Sequence, residues 1–194
     1  MLKDLILANR SYRGFVEEFK FSREDLEEFI DAARNCPSAA NLQPLAYYIA
    51  YEQDKVEQIL SCTKWAAALP ELDLPREGHH PTGFVVICQD TSISSNLNSS
   101  KIDIGIAAQS ILLMAAEKKL GGLMIGNFDP DMLKTVTGLS ERYEPQLVIA
   151  LGKPDEKVVL TDVKADGSTK YYRDENDVHY VPKRSLRSII INNN

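Results

Sequence analysis

The chain has 194 residues, of which 44% are hydrophobic and 26% are charged, and its formal net charge is −6 at pH 7. This length and composition are typical of one globular domain and exclude a disordered chain. The negative net charge argues against nucleic acid and against an anionic membrane as partners. The three cysteines are far apart in sequence, which favours neither a disulfide framework nor a metal site built on a CxxC pair.

No segment of the sequence has the length expected of a membrane anchor. The most apolar stretch, residues 102–116, is interrupted by polar residues and is too short to span a bilayer. Residues 1–6 carry an early acid and no small-residue cleavage site, unlike a secretory signal peptide. We therefore predict a soluble, cytoplasmic protein.

The first half of the chain predicts helices that alternate with strands. Residues 3–8 suit a short helix, and Ser22 followed by Asp25 resembles the N-cap of a second helix. That helix should end near Cys36, because Pro37 disfavours helical backbone in the residue before it. The elements expected next are a strand at 45–51, a helix at 54–62, an irregular loop at 70–81 and a strand at 83–88.

The second half begins with a helix at 102–118 that is apolar nearly all round. Such a helix is buried, either in the centre of the domain or across a subunit interface. Strands are predicted at 120–125 and 147–151. Between them, Asp129-Pro130 predicts the start of a helix and Gly138 its end.

The last part of the chain has a different pattern. Residues 157–163 and 169–181 alternate in polarity around Asp166-Gly167, a dipeptide typical of a hairpin turn. We therefore predict a single domain over residues 1–194, with a β-hairpin at 157–181 and a tail at 182–194 appended to it.

Two basic clusters are candidates for a phosphate site. Arg10, Ser11 and Arg13 offer two guanidiniums and a hydroxyl within four residues, which suits forked, charge-assisted hydrogen bonds to a terminal phosphate. A solvated basic turn after a short helix would contain the same residues. Lys183 and Arg184 form the second cluster. They are either a basic surface or the end of a segment that returns to the same phosphate.

A polar loop at 37–44 is a candidate for binding a flat heterocycle. Its Asn41 and Gln43 carboxamides can both donate and accept, which matches the alternating edge of a flavin ring. Ser38 and Asn41 could instead bond to their own backbone, as such residues do in proline-bounded loops. Both interpretations stay open at this point.

Four further features are candidates for parts of a site. Ile125-Gly126 ends a strand before a helix, which indicates either a tight turn or a close backbone approach to a ligand. His79-His80 lack a third ligand at a suitable spacing, so we predict no metal site. The cysteines lack a matched histidine and acid, so we predict no nucleophile. His179 is expected to be a member of a cross-strand pair.

Taken in order, these segments resemble the nitroreductase family of FMN-dependent oxidoreductases over roughly residues 3–190. The resemblance implies an α+β fold, namely a three-layer α-β-α sandwich with a mostly antiparallel central sheet and an extended C-terminal tail. It also implies an obligate homodimer with two FMN sites at its interface. The segments that carry it are 9–15, 37–44, 103–116, 120–123, 126–130, 147–154 and 182–186.

The resemblance also assigns roles to residues. Arg10, Ser11 and Arg13 would hold the FMN phosphate, with help from Lys183 and Arg184. The backbone at Ile125 and Gly126 would face the reactive ring nitrogen. The flavin contacts, contributed by the other subunit, would be Pro37, Ser38, Ala39, Asn41 and Gln43.

The activity implied by the resemblance is a ping-pong transfer of electrons. NAD(P)H, the co-substrate, reduces the flavin, and a nitroaromatic, a quinone or a similar acceptor oxidises it. The flavin carries this chemistry, so we assign no side chain as acid, base or nucleophile. The loop at 65–81 and the hairpin at 157–181 are the candidate lids.

Other functions remain open from the sequence. The chain could bind FMN for storage or sensing without turnover, or it could be a specialised dehalogenase-like or flavin-cleaving member of the fold. A third possibility is a degenerate dimer with an empty site. The candidate site residues are intact, which argues against it; they are Arg10, Ser11, Arg13, Asn41 and Gln43.

Overall fold

The computed structural model of the protein describes residues 1–66, 69 and 72–192. The helices are α1 (Leu2–Ala8), α2 (Arg23–Arg34), α3 (Gln53–Ser61), α4 (Lys101–Glu117), α5 (Pro130–Thr137) and α6 (Leu186–Ile189). The strands are β1 (Leu45–Ala50), β2 (Gly83–Asp90), β3 (Gly121–Ile125), β4 (Tyr143–Gly152), β5 (Val158–Asp162), β6 (Tyr172–Arg173) and β7 (His179–Lys183). Within this described part of the chain, every helix is too short or too polar to cross a lipid bilayer.

The helices and strands predicted before residue 153 are confirmed, with shifted ends. The largest shift is in β4, which begins at Tyr143 rather than at 147. The predicted irregular loop at 70–81 includes residues 70 and 71, and the candidate lid at 65–81 also includes 67 and 68. These four residues lie outside the described part, and no helix or strand occurs among the described remainder of 65–81.

Short-range hydrogen bonds set the ends of two helices as the sequence predicts. Ser22 and Asp25 form a capping box at the start of α2, in which each side chain accepts from the other residue's backbone N–H. The Asp129 carboxylate accepts from two backbone N–H groups at the start of α5. Gly138 ends α5 with a φ of 68°, in the left-handed region.

The large sheet has the strand order β1-β2-β4-β3, and every neighbouring pair is antiparallel. Alternate residues of β2 enter two different cores. Val85 and Ile87 pack with α2 and α4, whereas Phe84, Val86 and Cys88 pack with α3 and α5. The fold is therefore α+β, with helices on both faces of an antiparallel sheet, and this prediction is confirmed.

The small sheet corrects the prediction of a hairpin at 157–181. β7 is its central strand, parallel to β5 and antiparallel to β6, so β5 and β6, the strands that directly flank Asp166-Gly167, do not pair with each other. Residues 158–160 pair instead with 179–181 in the parallel direction, which a hairpin cannot do. The predicted turn itself forms, because the Gly167 N–H donates to the Lys164 carbonyl at 2.9 Å. β7 is the better partner because it brings buried side chains, and the Tyr180 ring stacks on Tyr172 with centroids 5.1 Å apart. Long-range packing therefore overrides the local turn signal.

Candidate functional site

The segment Arg10–Arg13 is held along the edge of the large sheet, beside β3. Ser11 forms an isolated bridge with Gly122, and the Tyr12 N–H donates to the Gly122 carbonyl at 3.2 Å. The Tyr12 hydroxyl donates to the Ala8 carbonyl at 2.9 Å. Gly121 makes room for the Tyr12 ring, because a Cβ at Gly121 would lie 2.5 Å from it. Tyr12 therefore anchors the segment between α1 and β3.

A cavity of about 310 Å³ lies where this segment meets α4, β3 and the small sheet. Three cations face it, and none of the described residues that line it is an acid. Uncompensated cations around one cavity attract an anion, and their donors suit a phosphate group. We call this cavity the cationic cradle. Its lining is Asn9, Arg10, Ser11, Arg13, Gln109, Leu112, Met124, Val158, Tyr171, His179, Val181 and Lys183.

Arg13 is the most constrained cation of the cradle, with only 8% of its surface exposed. Its Nη1 donates to the Ser11 carbonyl at 3.1 Å, and its guanidinium carbon lies 4.9 Å from the centroid of the Tyr171 ring. Burial lowers the pKa of Arg13 from its usual value. The Nε atoms of Arg10 and Arg13 are buried, and neither has a hydrogen-bond partner among the described residues. Buried donors of this kind fit an anionic group in the cradle.

His179 forms part of the cradle wall, which the sequence analysis did not predict. Its Nδ1 lies 3.5 Å from Arg13 Nη1, and only 1% of its surface is exposed. Burial, with the nearby Arg13 and Arg173, lowers the pKa of His179 to about 4, so the ring is neutral at pH 7. The sequence pattern that could have predicted this position is the alternation of side chains along a strand. His179, Val181 and Lys183 lie on the same face of β7, and all three line the cradle.

The polar loop at 37–44 adopts a strained backbone. It forms a short 3₁₀-helix at Ala39–Asn41, and the φ angles of Ala40, Asn41 and Gln43 are 49°, 55° and 51°. Non-glycine residues seldom occupy this left-handed region, and such strain concentrates at functional sites. The structure must therefore hold this loop in place by other contacts.

Asp103 of α4 holds the loop. Its carboxylate accepts a hydrogen bond from the Ser38 hydroxyl at 2.6 Å and from the Ala39 N–H at 3.2 Å. The Ser38 hydroxyl oxygen in turn accepts from the Gln43 N–H at 2.9 Å. The sequence analysis did not assign a role to Asp103, although an acid within the apolar stretch 102–116 was the available signal.

A second cavity of about 150 Å³ lies beside this loop. Burial, with Cys36 and Asp103 nearby, raises the pKa of Tyr47 to about 12, so its hydroxyl remains a donor at pH 7. We call this cavity the loop cavity. Its lining is Ala33, Arg34, Cys36, Pro37, Ser38, Gln43, Leu45, Tyr47, Asp103 and Ala107.

The cationic cradle and the loop cavity lie on different sides of α4 and share no residue among those that line them. Ala107 faces the loop cavity and Gln109 faces the cradle. Residues that are two positions apart on an α-helix are rotated by about 200° around its axis. Within one chain, the predicted phosphate site and the predicted flavin-ring site therefore do not share a cavity.

The structure unites some predicted site residues and separates others. Arg10, Ser11, Arg13 and Lys183 meet in the cradle, and Pro37, Ser38 and Gln43 meet in the loop cavity. Ala39 and Asn41 belong to the same loop, and Asn41 Oδ1 accepts from Gln43 Nε2 at 3.1 Å.

Three predicted residues lie apart from both cavities. The Arg184 guanidinium donates to the Ser188 carbonyl at 2.6 Å. Ile125 is the last residue of β3 and is buried in the core, and Gly126 after it is exposed. None of the three is among the described residues that line the cradle or the loop cavity.

The histidine pair and the cysteines take part in other contacts. His79 Nδ1 lies 2.8 Å from Asp155 Oδ2, and His80 Nδ1 lies 3.1 Å from Glu17 Oε1. Each histidine thus has its own carboxylate partner. Burial raises the pKa of the Cys88 thiol to about 12, which disfavours the thiolate.

Comparison with known proteins identifies relatives of this chain. A sequence model described as the nitroreductase family matches residues 6–153. An Archaeoglobus fulgidus protein with the provisional name NADH dehydrogenase/NAD(P)H nitroreductase is 25% identical over 159 residues, covering 79% of this chain and 86% of that protein. Residues 154–192, which include the small sheet, lie beyond the family match.

Solved structures share the fold. A structure from Clostridium acetobutylicum has a TM-score of 0.67 at 22% identity, covering 98% of this chain and 100% of that chain. A structure from Exiguobacterium sibiricum, described as a complex with FMN, has a TM-score of 0.66 at 15% identity, covering 80% of this chain and 89% of that chain. At these identities the likeness shows the fold alone.

Proposed function

The chain belongs to the nitroreductase family, and from this premise we propose that it is an NAD(P)H-dependent oxidoreductase that uses FMN. Its acceptor would be a nitroaromatic, a quinone or a similar electron-poor molecule. The observation that carries the proposal is the cationic cradle, in which Arg10, Arg13 and Lys183 meet without an acid among the described lining residues. This donor set has the chemistry of a phosphate site.

In this proposal the FMN phosphate binds in the cradle. The guanidiniums of Arg10 and Arg13 would donate forked hydrogen bonds, the Ser11 hydroxyl would add a neutral donor, and Lys183 would add a point charge. His179 is neutral at pH 7 and therefore adds no charge of its own. The predicted roles of Arg184, Ile125 and Gly126 stay predictions.

The flavin ring would be contacted by the loop at 37–44 of a second copy of the chain. The separation of the loop cavity from the cradle by α4 supports a site shared between two subunits. Apolar side chains left uncovered in one chain also support a homodimer. Ile102 of α4 is 76% exposed, and Leu2 and Leu7 of α1 are also exposed.

FMN, when bound, supplies the hydride and electron-transfer chemistry. The chain's own residues would bind the phosphate, orient the ring and exclude water from it. Asp103 would serve this purpose indirectly, since it holds Ser38 and Ala39 in the strained loop. A rigid loop presents its carboxamides without a further loss of conformational entropy on binding.

The visible absorption spectrum of the purified protein tests the proposal, before and after anaerobic NADH or NADPH. A yellow protein that bleaches, and recovers its colour with a nitroaromatic or a quinone, would support it. A yellow protein that neither nucleotide reduces would favour the storage or sensing alternative. A colourless protein that cannot be loaded with FMN would overturn the proposal.

A further inference from the structure

Arg13 is held by residues that lie beyond the family match. Its backbone N–H donates to Glu156 Oε1, and its guanidinium lies against the Tyr171 ring and beside His179 Nδ1. All three partners come after residue 153, where the match ends. The C-terminal segment therefore supplies three of the contacts that hold this cation, in addition to the Ser11 carbonyl.

Glu156 is the branch point of this arrangement. Its Oε1 accepts from the Arg13 N–H, and its Oε2 accepts from the Arg173 guanidinium. The side chains of Glu156 and Arg173 are 3% and 7% exposed. A buried carboxylate is tolerated only when it is paired and hydrogen-bonded, so both of its contacts must form together.

The ion-pair series continues from Arg173 to the surface. Arg173 Nη1 donates to Asp177 Oδ1 at 3.0 Å, and Arg76 binds both oxygens of Asp177 at 2.6 and 2.7 Å. These contacts connect the Arg13 segment with β6 and with the loop that precedes β2. The two negative charges of Glu156 and Asp177 thus neutralise the two positive charges of Arg173 and Arg76.

This balance matters for the cradle. Glu156 accepts a hydrogen bond from the backbone N–H of Arg13 and forms its ion pair with Arg173. The Arg13 guanidinium therefore remains available to pair with an anionic ligand. We propose that Glu156 and Arg173 are positioning residues for the anion bound in the cradle, and that they act through the backbone of Arg13. This inference rests on the proposed function, in which that anion is the phosphate of FMN.

The test compares FMN with riboflavin, which lacks the phosphate. Both are titrated against wild type, Glu156→Gln and a control, Glu175→Gln, by flavin fluorescence. Glu175 is an exposed acid of the β6–β7 turn, so the control makes the same charge change in the same segment. We expect Glu156→Gln to weaken FMN binding about tenfold. Riboflavin binding should change less than about twofold, and the control should match wild type.

The sign of the effect discriminates between positioning and simple electrostatics. If Glu156 acted only as a negative charge near the phosphate, its removal would strengthen FMN binding. Stronger or unchanged FMN binding in Glu156→Gln would therefore overturn the inference, as would an equal loss for FMN and riboflavin. Wild-type protein that binds neither flavin would instead contradict the proposed function, and this result appears before any variant is compared.

A second variant covers the case in which Glu156→Gln does not fold. Asp177→Asn weakens the same series from its exposed end and leaves Glu156 paired with Arg173. We expect a selective loss of FMN affinity of about threefold, with riboflavin unaffected. A ratio of FMN to riboflavin affinity equal to that of wild type would then overturn the inference.

Discussion

Arg13 is the residue on which phosphate binding should depend most, because it is buried in the cradle with an unsatisfied Nε. We expect Arg13→Ala to weaken FMN binding by about 2–5 kcal/mol, as for the loss of a desolvated charged partner. The measurement is an FMN titration of the folded variant. Unchanged flavin occupancy would remove Arg13 from the site.

Arg184→Ala is the matched comparison. Its guanidinium donates to the Ser188 carbonyl and does not line the cradle. We expect this variant to bind FMN within about 0.5 kcal/mol of wild type. A loss as large as that of Arg13→Ala would instead support the role that the family resemblance implies for Arg184.

His179 should make the fold sensitive to acid. Its pKa is about 4 in the folded state and about 6.5 in an unfolded chain. The folded state therefore binds fewer protons between these values, so stability is lost as the pH falls from 6.5 towards 4. We expect the protonation of His179 to lower the free energy of unfolding by about 2 kcal/mol between pH 7 and pH 5.

Urea unfolding at the two pH values measures this loss, with His179→Gln as the reference. The variant lacks the titrating ring, so its free energy of unfolding should fall less over the same interval. If wild type and variant lose the same amount, then His179 is not the group responsible.

At the scale of elements, β3 depends on the close approach of Tyr12. A Cβ at Gly121 would lie 2.5 Å from the Tyr12 ring and 3.0 Å from Pro154. We expect Gly121→Ala to lower the free energy of unfolding by about 1–3 kcal/mol, as overpacking does. FMN affinity should fall as well, because Tyr12 lies between Ser11 and Arg13.

Gly126→Ala is the control on the same stretch of chain. A Cβ there meets no atom within 4 Å, so the free energy of unfolding should change little. The variant also tests the predicted backbone approach to the flavin at this position. A selective loss of FMN affinity, without a loss of stability, would support that approach.

At the scale of the whole molecule, the shared site predicts that dimerisation and flavin binding are coupled. Ile102→Glu places a charge on the exposed apolar face of α4. We expect it to shift the protein towards monomer in sedimentation experiments and to lower FMN affinity in parallel, because burying an unpaired charge at an interface is costly.

Met132→Glu is the matched control, since Met132 is also exposed but lies on α5 in the opposite layer. It should leave the sedimentation coefficient and FMN affinity unchanged. A monomeric wild-type protein that binds FMN fully would contradict the proposal of a shared site.

How far the sequence predicts this molecule depends on the distance between the residues involved. The caps at Ser22 and Asp129 and the stop at Gly138 were predictable, because each depends on atoms within four residues along the chain. The partner of β5 was not predictable in this way. The Asp166-Gly167 turn forms, yet β7 pairs with both flanking strands.

The candidate site divides in the same manner. The sequence determined which segments carry phosphate and carboxamide chemistry, since spacing and residue type along the chain suffice for that inference. Only the tertiary structure decided that His179 and Tyr171 surround Arg13 and that Asp103 holds the strained loop. It also decided that the two motifs lie on different sides of α4. These outcomes depend on contacts between distant segments, whose packing free energies no local pattern encodes.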